Sequence, residues 1–305
     1  MKCKSPTVVA LGTFDGVHLA HQSLLRQAVK IAKTEGYPSV AFTFRQHPLQ
    51  VVAGRGPKLL TTLEEKERLI RGVGIDDVHL VDFTKEFANL APEDFVKGLL
   101  LEKLGARVLV VGYDYTFGKD GRGNTRLLSD YAQAYGFRLE VLNPVRIGAT
   151  VVSSTVIRER LLQGQIEAAN GLLGYPFTLT GKVIPGEGRG RRLGFPTANI
   201  QPPPEKIVPG QGVYVVRVPL EGKNYYGLLI ISTKPTFHNQ MVPTIELFIA
   251  DFSGDLYQRQ ISVEFLEYLR PIRRFHSPAQ LQDQMHRDLH QGRQIYLQLE
   301  GAGRS

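Results

Sequence analysis

Short apolar runs alternate with amphipathic stretches along the first half of the chain. Five runs predict buried strands, at residues 8–11, 39–44, 78–81, 107–111 and 138–142. Apolar residues at helical spacing between these runs predict helices at 19–34, 64–71, 92–103 and 126–135. This alternation predicts a doubly wound α/β domain built on a parallel sheet. The ligands of such a sheet bind beyond the carboxyl ends of its strands.

The pattern changes after residue 158. Two short helices are predicted at 156–162 and 166–173, and Gly174-Tyr175-Pro176 ends the helical run. Strand-like segments follow at 177–184, 212–218, 225–231, 244–250 and 261–269, before one final helix at 278–299. Antiparallel strands with a terminal helix predict a small β-barrel. We therefore expect an α/β domain at 1–174 and a β-barrel domain at 175–305.

Composition supports two globular domains. The chain has 305 residues, of which 42% are hydrophobic and 22% are charged. No apolar stretch approaches the length of a membrane span, and no signal-peptide segment precedes the first strand. Cys3 is the single cysteine, so neither a disulfide framework nor a cysteine metal cluster is expected. The expected compartment is the cytoplasm, with no membrane partner.

The net charge of +8 suits phosphorylated ligands and is also compatible with nucleic acid. The basic residues are dispersed apart from a run at 189–192, and no aromatic stacking pattern accompanies them. Small-molecule substrates are therefore expected, and nucleic acid is not. The sequence leaves the oligomeric state open, including a homo-oligomer.

The strongest motif in the first half is G-T-F-D-G-V-H-L-A-H at residues 12–21. It follows a strand and predicts a glycine-bracketed turn, with a helix opening near Val17. His18 and His21 are three residues apart, so their side chains share one helical face, where the helix N-terminus attracts anions. The turn itself adds candidate nucleotide-binding residues: Gly12, Phe14, Asp15 and Gly16.

A second string, V-S-S-T-V-I-R at residues 152–158, begins another predicted helix. It supplies hydroxyl groups and one guanidinium: Ser153, Ser154, Thr155 and Arg158. Hydroxyls at a helix start cap the helix by default, and they also bind phosphate. Together the two strings predict a triphosphate held between two helix starts.

A glycine-rich string occupies residues 181–200, where five glycines fall within fourteen residues. Backbone N–H groups of such a segment can approach phosphates closely. The string lacks the G-K-[ST] ending of a Walker A loop. Its candidate nucleotide-binding residues are Gly186, Gly188, Gly190 and Arg191.

With these motifs the chain resembles the bifunctional riboflavin kinase/FMN adenylyltransferases, the bacterial FAD synthetases. The first half matches the H-x-G-H motif, with Ala20 in place of the glycine, and the late S-S/T-x-x-R motif. The second half matches the kinase signature ending in G-F-P-T-A-N. The resemblance implies that the C-terminal domain converts riboflavin and ATP to FMN, and that the N-terminal domain converts FMN and ATP to FAD and pyrophosphate. Magnesium is the implied cation.

The resemblance also implies roles for single residues. His18 and His21 would bind phosphates and developing charge, while the V-S-S-T-V-I-R string takes the leaving pyrophosphate. Flavin binding is assigned to three residues of two further motifs, T-F-R-Q-H-P and V-G-Y-D-Y-T-F-G: His47, Asp114 and Phe117. In the kinase half, Thr197 and Asn199 would hold magnesium and phosphates, and Glu246 would accept the hydroxyl proton.

Departures from the family pattern cluster in the kinase half. The positions are Ser232, Phe248, Gln258 and Ile272, where the family carries glycine, histidine, glycine and glutamate. Loss of a carboxylate or of a ligand-side glycine can alter a binding pocket. Two alternatives therefore stay open: an FMN adenylyltransferase with a degenerate kinase domain, and a flavin-responsive regulator that binds nucleic acid through residues 189–192.

Overall fold

The computed structural model describes residues 5–186, 194–235 and 241–302, and it divides the chain into two compact units, Met1–Ser154 and Thr155–Ser305. Each unit has its own sheet and core. No helix among the described residues is both long enough and apolar enough to cross a bilayer. The predicted domain boundary after residue 174 stays a prediction.

The first unit is built on a five-stranded parallel sheet, ordered β3-β2-β1-β4-β5. This confirms the predicted doubly wound domain. Residues that alternate along β1 point to opposite faces of the sheet, so Val8 and Ala10 join one apolar cluster while Val9 and Leu11 join the other. The strands are β1 (Thr7–Leu11), β2 (Ser39–Phe44), β3 (Asp77–Val81), β4 (Ala106–Gly112) and β5 (Arg138–Leu142).

Helices cover both faces of this sheet. They are α1 (Leu19–Glu35), α2 (Pro48–Val52), α3 (Leu63–Gly72), α4 (Lys85–Ala88), α5 (Pro92–Asp94) and α6 (Thr125–Tyr135). Thr62 and Glu65 form a capping box at the start of α3. The helix predicted at 92–103 is α-helical only in its first turn and continues as a π-helix over Phe95–Lys103. A 3₁₀ turn (Lys119–Gly121) and a small hairpin, β6 (Arg146–Ile147) with β7 (Thr150–Val151), complete the connections.

The second unit is a closed six-stranded antiparallel barrel, ordered β10-β11-β12-β9-β8-β13, as the sequence predicts. The helices α7 (Ser154–Leu162) and α8 (Ile166–Leu173) precede it. Its strands are β8 (Thr178–Ile184), β9 (Ala198–Gln201), β10 (Gly212–Leu220), β11 (Lys223–Pro235), β12 (Met241–Ile249) and β13 (Gln260–Arg270).

The C-terminal helix (Pro278–Ala302) packs on the outside of the barrel. Leu289, Ile295 and Tyr296 from this helix lie against Val213 and Val215 of β10. Strand alternation sends Tyr214, between these two valines, into the barrel interior, and the helix covers the outer face of β10. The barrel therefore has an apolar interior and a second apolar layer under the helix.

Candidate active sites

The turn between β1 and α1 has a strained backbone. Phe14, Gly16 and Val17 all have positive φ values, of 50°, 82° and 34°. Positive φ is costly for a β-branched residue such as valine, and such strain clusters at functional sites. The side-chain amide of Gln22 donates to the Val17 carbonyl over 2.9 Å and helps to hold this conformation. A side chain at Gly16 would meet Leu60 Cδ1 at 2.6 Å.

Side chains distant in sequence hold the same turn. The Asp15 carboxylate, buried in the protein, accepts the backbone N–H groups of Leu60 (2.9 Å) and Thr61 (3.2 Å). The N–H of Gly16 donates to the Thr61 hydroxyl over 3.1 Å. The Ser154 hydroxyl donates to the Asp15 carbonyl over 2.9 Å. The structure thus brings Ser154 to the first motif, and it gives Asp15 a positioning role.

His18 and His21 form a stacked pair at the start of α1. Their ring centroids are 3.6 Å apart with an interplanar angle of 14°. His18 is the N-cap and its Nδ1 accepts the N–H of His21, so α1 begins at Leu19, the first residue of the helix predicted at 19–34. Phe14 lies edge-on to His21 and is fully buried, so only its backbone is available to a ligand.

The environment of His21 disfavours a positive charge. Burial, and then the positive charges of His18 and Lys66, hold the pKa of His21 well below its ordinary value. Its Nδ1 is buried and has no hydrogen-bond partner among the residues that the structure describes. Burying a polar atom without a hydrogen-bond partner costs folding free energy, and such atoms are typical of ligand-binding sites. A neutral imidazole at pH 7 follows.

The remaining residues of the V-S-S-T-V-I-R string lie at the start of α7. Ser153 directly precedes the helix and is half-buried. Thr155 is exposed and Arg158 is half-buried. These two are three residues apart, so they share one side of α7. A hydroxyl and a guanidinium on one side of a helix start can bind phosphate together.

A small cleft opens where β1 and β2 end. His47 lies at its edge as the N-cap of α2, and its Nδ1 accepts the N–H of Leu49 over 3.2 Å. The cleft therefore combines the nucleotide turn with the string assigned to the flavin by resemblance. Its lining residues are Thr13, Asp15, Phe44, Arg45, Gln46, His47, Pro48, Leu59, Thr61, Leu63 and Lys66.

Sequence reasoning missed Lys66, which is only 8% exposed. Its ammonium donates to the carbonyls of Phe44 (2.6 Å) and Thr13 (3.5 Å). Burial lowers the pKa of Lys66 to about 8, although the charge of Asp15 acts in the opposite direction. The available signal was spacing: Lys66 lies four residues before the buried Ile70 and so shares the core-facing side of α3.

The other two residues assigned to the flavin do not line this cleft. Asp114 is exposed in the loop after β4, and its Oδ1 would lie 3.2 Å from a side-chain carbon added at Gly112. Phe117 is 6% exposed and packs against Phe95 and Tyr115, at ring distances of 5.5 Å and 5.8 Å. The Phe117 ring therefore belongs to the core of this structure, and its stacking on a flavin stays a prediction.

In the second unit, strand register brings together two residues of the predicted kinase site. Asn199 of β9 lies directly opposite Glu246 of β12, and both are half-buried. A side chain at Gly186 would collide with the amide nitrogen of Asn199 and would have to displace that side chain. Thr197, also half-buried, lies two residues before Asn199. Three other candidates lie between the described ranges 5–186 and 194–235 and so outside the described residues: Gly188, Gly190 and Arg191.

Two of the departures from the family pattern lie on the outer face beside Glu246. The Ser232 hydroxyl pairs across the strands with the Thr244 hydroxyl at 2.7 Å. Phe248 follows Glu246 by two residues and lies edge-on to Phe195, at 5.8 Å between ring centroids. Both substitutions are accommodated without a break in the β11–β12 ladder.

The other two departures lie outside the strands. Gln258 has a φ of 64°, in the left-handed region where glycine is at ease, and its N–H donates to the Val183 carbonyl. Ile272 is 38% exposed. The glycine that the family carries at the Gln258 position is thus explained by backbone conformation, and the structure offers no packing reason for Ile272.

The parallel-sheet unit carries a histidine pair at a helix start, and the barrel unit carries an acid–amide pair on adjacent strands, as expected of a two-domain nucleotide-dependent transferase. Residues 1–156 match the family model described as FAD synthetase, and residues 173–296 match the one described as riboflavin kinase. The chain belongs to the bifunctional riboflavin kinase/FMN adenylyltransferase family. These matches support the bifunctional prediction over the two alternatives.

Relatives of this kind match almost end to end. A Listeria monocytogenes protein named bifunctional riboflavin kinase/FMN adenylyltransferase is 36% identical over 96% of this chain and 93% of its own. The Escherichia coli K12 protein of the same name is 35% identical over 92% and 90%. A crystal structure described as a macrolide-efflux protein from Streptococcus pneumoniae is 32% identical, with a TM-score of 0.87 over 95% of this chain and 94% of that one.

Proposed function

We propose that this chain makes FAD from riboflavin in two ATP-dependent steps. The barrel unit phosphorylates riboflavin to FMN and releases ADP. The first unit transfers the adenylyl group of ATP to FMN and releases pyrophosphate. The observation that carries the proposal is the stacked pair of His18 and His21 at the start of α1, tied through Asp15 to Ser154 of the second string.

In the adenylyl transfer, a phosphate oxygen of FMN attacks the α-phosphorus of ATP. A P–O bond to this phosphorus forms, the bond to the bridging oxygen breaks, and pyrophosphate leaves with the electron pair. No covalent enzyme intermediate is needed, so the protein acts by positioning and by stabilising charge. His18 and His21 bind the ATP phosphates at the helix start, and Ser153, Thr155 and Arg158 take the pyrophosphate.

The neutral state of His21 suits this role. An approaching phosphate brings negative charge to a buried imidazole, which raises its proton affinity. His21 can then donate to the phosphate as charge develops on the leaving group. The orphaned Nδ1 gives the ring a polar atom that the free protein does not satisfy among its described residues.

In the kinase unit, the primary hydroxyl of riboflavin attacks the γ-phosphorus of ATP, and Glu246 accepts the hydroxyl proton. The bond from this phosphorus to the β–γ bridging oxygen breaks, and ADP leaves with the electron pair. Thr197 and Asn199 offer neutral oxygens, which suit a magnesium ion shared with ATP phosphates. Within the described ranges, no cluster of three or more His, Cys, Asp or Glu could hold a metal alone. The chemistry that magnesium supplies is neutralisation of the phosphate charge.

The test is chromatography of flavins after incubation of the full chain with ATP and magnesium. One reaction starts from riboflavin and a parallel one from FMN, and an arm with a chelator removes the cation. FAD from both starting flavins, lost with the chelator, supports the proposal. FAD from FMN alone would favour the adenylyltransferase with a degenerate kinase unit. FAD from neither would overturn the enzymatic assignment.

A further inference from the structure

The cleft at the ends of β1 and β2 holds a buried cation that the reaction as proposed leaves unused. We propose that Lys66 binds the phosphate of FMN, the acceptor in adenylyl transfer. This inference rests on the proposed function and assigns the acceptor-phosphate site within it. Lys66 reaches this position from the interior of α3, with its ammonium against two backbone carbonyls.

The ammonium of Lys66 lies between the segment assigned to ATP and the segment assigned to the flavin, where it can bind an anion. One of its carbonyl partners, Thr13, belongs to the turn that precedes His18, and the other, Phe44, ends β2 just before His47. The cleft lining contains residues from both segments. An acceptor phosphate must lie between the ATP side and the flavin side, and Lys66 lies at that junction.

The charge balance of the cleft points the same way. The two carbonyls accept hydrogen bonds from the ammonium in place of water, but they carry no formal negative charge to balance it. Oδ1 of Asp15, the acid that acts on Lys66, already accepts N–H groups from Leu60 and Thr61. A phosphate dianion entering the cleft would add negative charge beside the ammonium and offer it a strong acceptor.

The reaction needs a positive charge between its two substrates. The FMN phosphate and the ATP phosphates are all negative, and they must come within bonding distance. A buried ammonium beside the acceptor reduces their mutual repulsion and aims one oxygen at the α-phosphorus. Lys66 transfers no proton, since the attacking oxygen is already ionised.

The experiment compares three variants of the full chain: Lys66→Met, Lys66→Arg and, as a matched control, Lys30→Met at an exposed position of α1. FAD formation is measured with FMN varied at saturating ATP, and then with ATP varied at saturating FMN. Lys66→Met is expected to raise the KM for FMN at least about tenfold and to leave the KM for ATP within about twofold. Lys66→Arg keeps the charge and recovers part of the loss. Thermal unfolding followed by circular dichroism reports that the first unit of each variant is folded, and riboflavin phosphorylation reports the same of the barrel unit.

A pH profile adds a readout that a structural role would not move. The ammonium form of Lys66 predominates below its lowered pKa of about 8 and is lost as the pH rises through that value. Hence kcat/KM for FMN in the unmodified chain should fall above pH 8. The Lys66→Arg chain should not show this fall, because an arginine stays charged.

Three other results would overturn the assignment of Lys66 to the FMN phosphate. An unchanged KM for FMN in Lys66→Met, while the unmodified chain makes FAD, overturns the Lys66 assignment alone. A rise in the KM for ATP instead assigns Lys66 to the donor phosphates and also overturns it. Absence of FAD from the unmodified chain overturns the proposed function and this inference with it.

Discussion

The two candidate sites are built by different means. In the first unit the site depends on a strained turn, in which Phe14 and Val17 have positive φ. The Gln22 amide donates a hydrogen bond to this turn and the Thr61 hydroxyl accepts one from it, and both bonds hold the conformation. In the second unit the pairing of two antiparallel strands sets Asn199 opposite its partner Glu246. Side-chain hydrogen bonds hold the site of the first unit, and backbone strand pairing holds the site of the second unit.

This difference explains where substitutions are tolerated. The turn needs particular side chains that come from distant parts of the chain, such as Thr61 and Ser154. The ladder between β11 and β12 is made by main-chain groups, so Ser232 and Phe248 replace the family residues without disturbing it. The departures from the family pattern accordingly fall in the unit whose site depends least on side-chain scaffolding.

The largest effect is expected for His21→Ala. FAD formation from FMN should fall by roughly 10³-fold, because a phosphate donor in a buried site is lost. Riboflavin phosphorylation should stay within about twofold, since the barrel site is built separately. Chromatography of flavins measures both rates, and His290→Ala, an exposed position on the C-terminal helix, is the control.

Asn199→Ala should give the reverse pattern. Riboflavin phosphorylation should fall by roughly 10²-fold, because an oxygen ligand for the magnesium–ATP complex is removed. FAD formation from added FMN should be unaffected. If either this variant or His21→Ala, shown to be folded, lost both activities, the two sites would not be independent.

Gly16→Ala tests the strained turn through stability. A methyl group at this position combines a φ of 82° with a contact of 2.6 Å to Leu60, and we expect the free energy of unfolding to fall by about 2–3 kcal/mol. Gly36→Ala is a matched control, because its φ is 70° and no heavy atom lies within 4 Å of the added carbon. The control should lose about 1 kcal/mol in urea unfolding. Equal losses would mean that the turn has room to relax.

The smallest effect is a gain. Gln258→Gly should raise the free energy of unfolding by about 0.5–1 kcal/mol, because glycine adopts the φ of 64° without strain. Gln260→Gly is the control: its residue is exposed at the start of β13, where glycine weakens a strand. A loss of stability at both positions would argue against strain at Gln258.

Much of the fold could be predicted because local patterns and tertiary structure agree. The predicted strands 39–44 and 138–142 match β2 and β5 at both ends. The strand β9 was not predicted, since Ala198–Gln201 is only four residues long and gains its ladder from β8 and β12. The π-helical turns of Phe95–Lys103 carry no distinguishing pattern of their own.

The site was predictable where a motif is continuous in sequence and not where tertiary packing decides. The stacking of His18 and His21 follows from their spacing at a helix start. Lys66, in contrast, has charged neighbours that indicate a solvated face, and its spacing from Ile70 alone does not decide that the packing of α3 buries it. Phe14 and Phe117 belong to motifs associated with ligands, but their rings pack in cores.

The strand order also bears on how the two units resist aggregation. Every strand of the barrel has two neighbours, so its hydrogen-bonding edges are closed. The parallel sheet ends at β3 and β5, and each of these strands exposes an edge. Arg138 and Glu140 form an ion pair on β5, and Asp77 is exposed at the start of β3. Charges at both open edges oppose the addition of a strand from another molecule, which is the first step towards an intermolecular sheet.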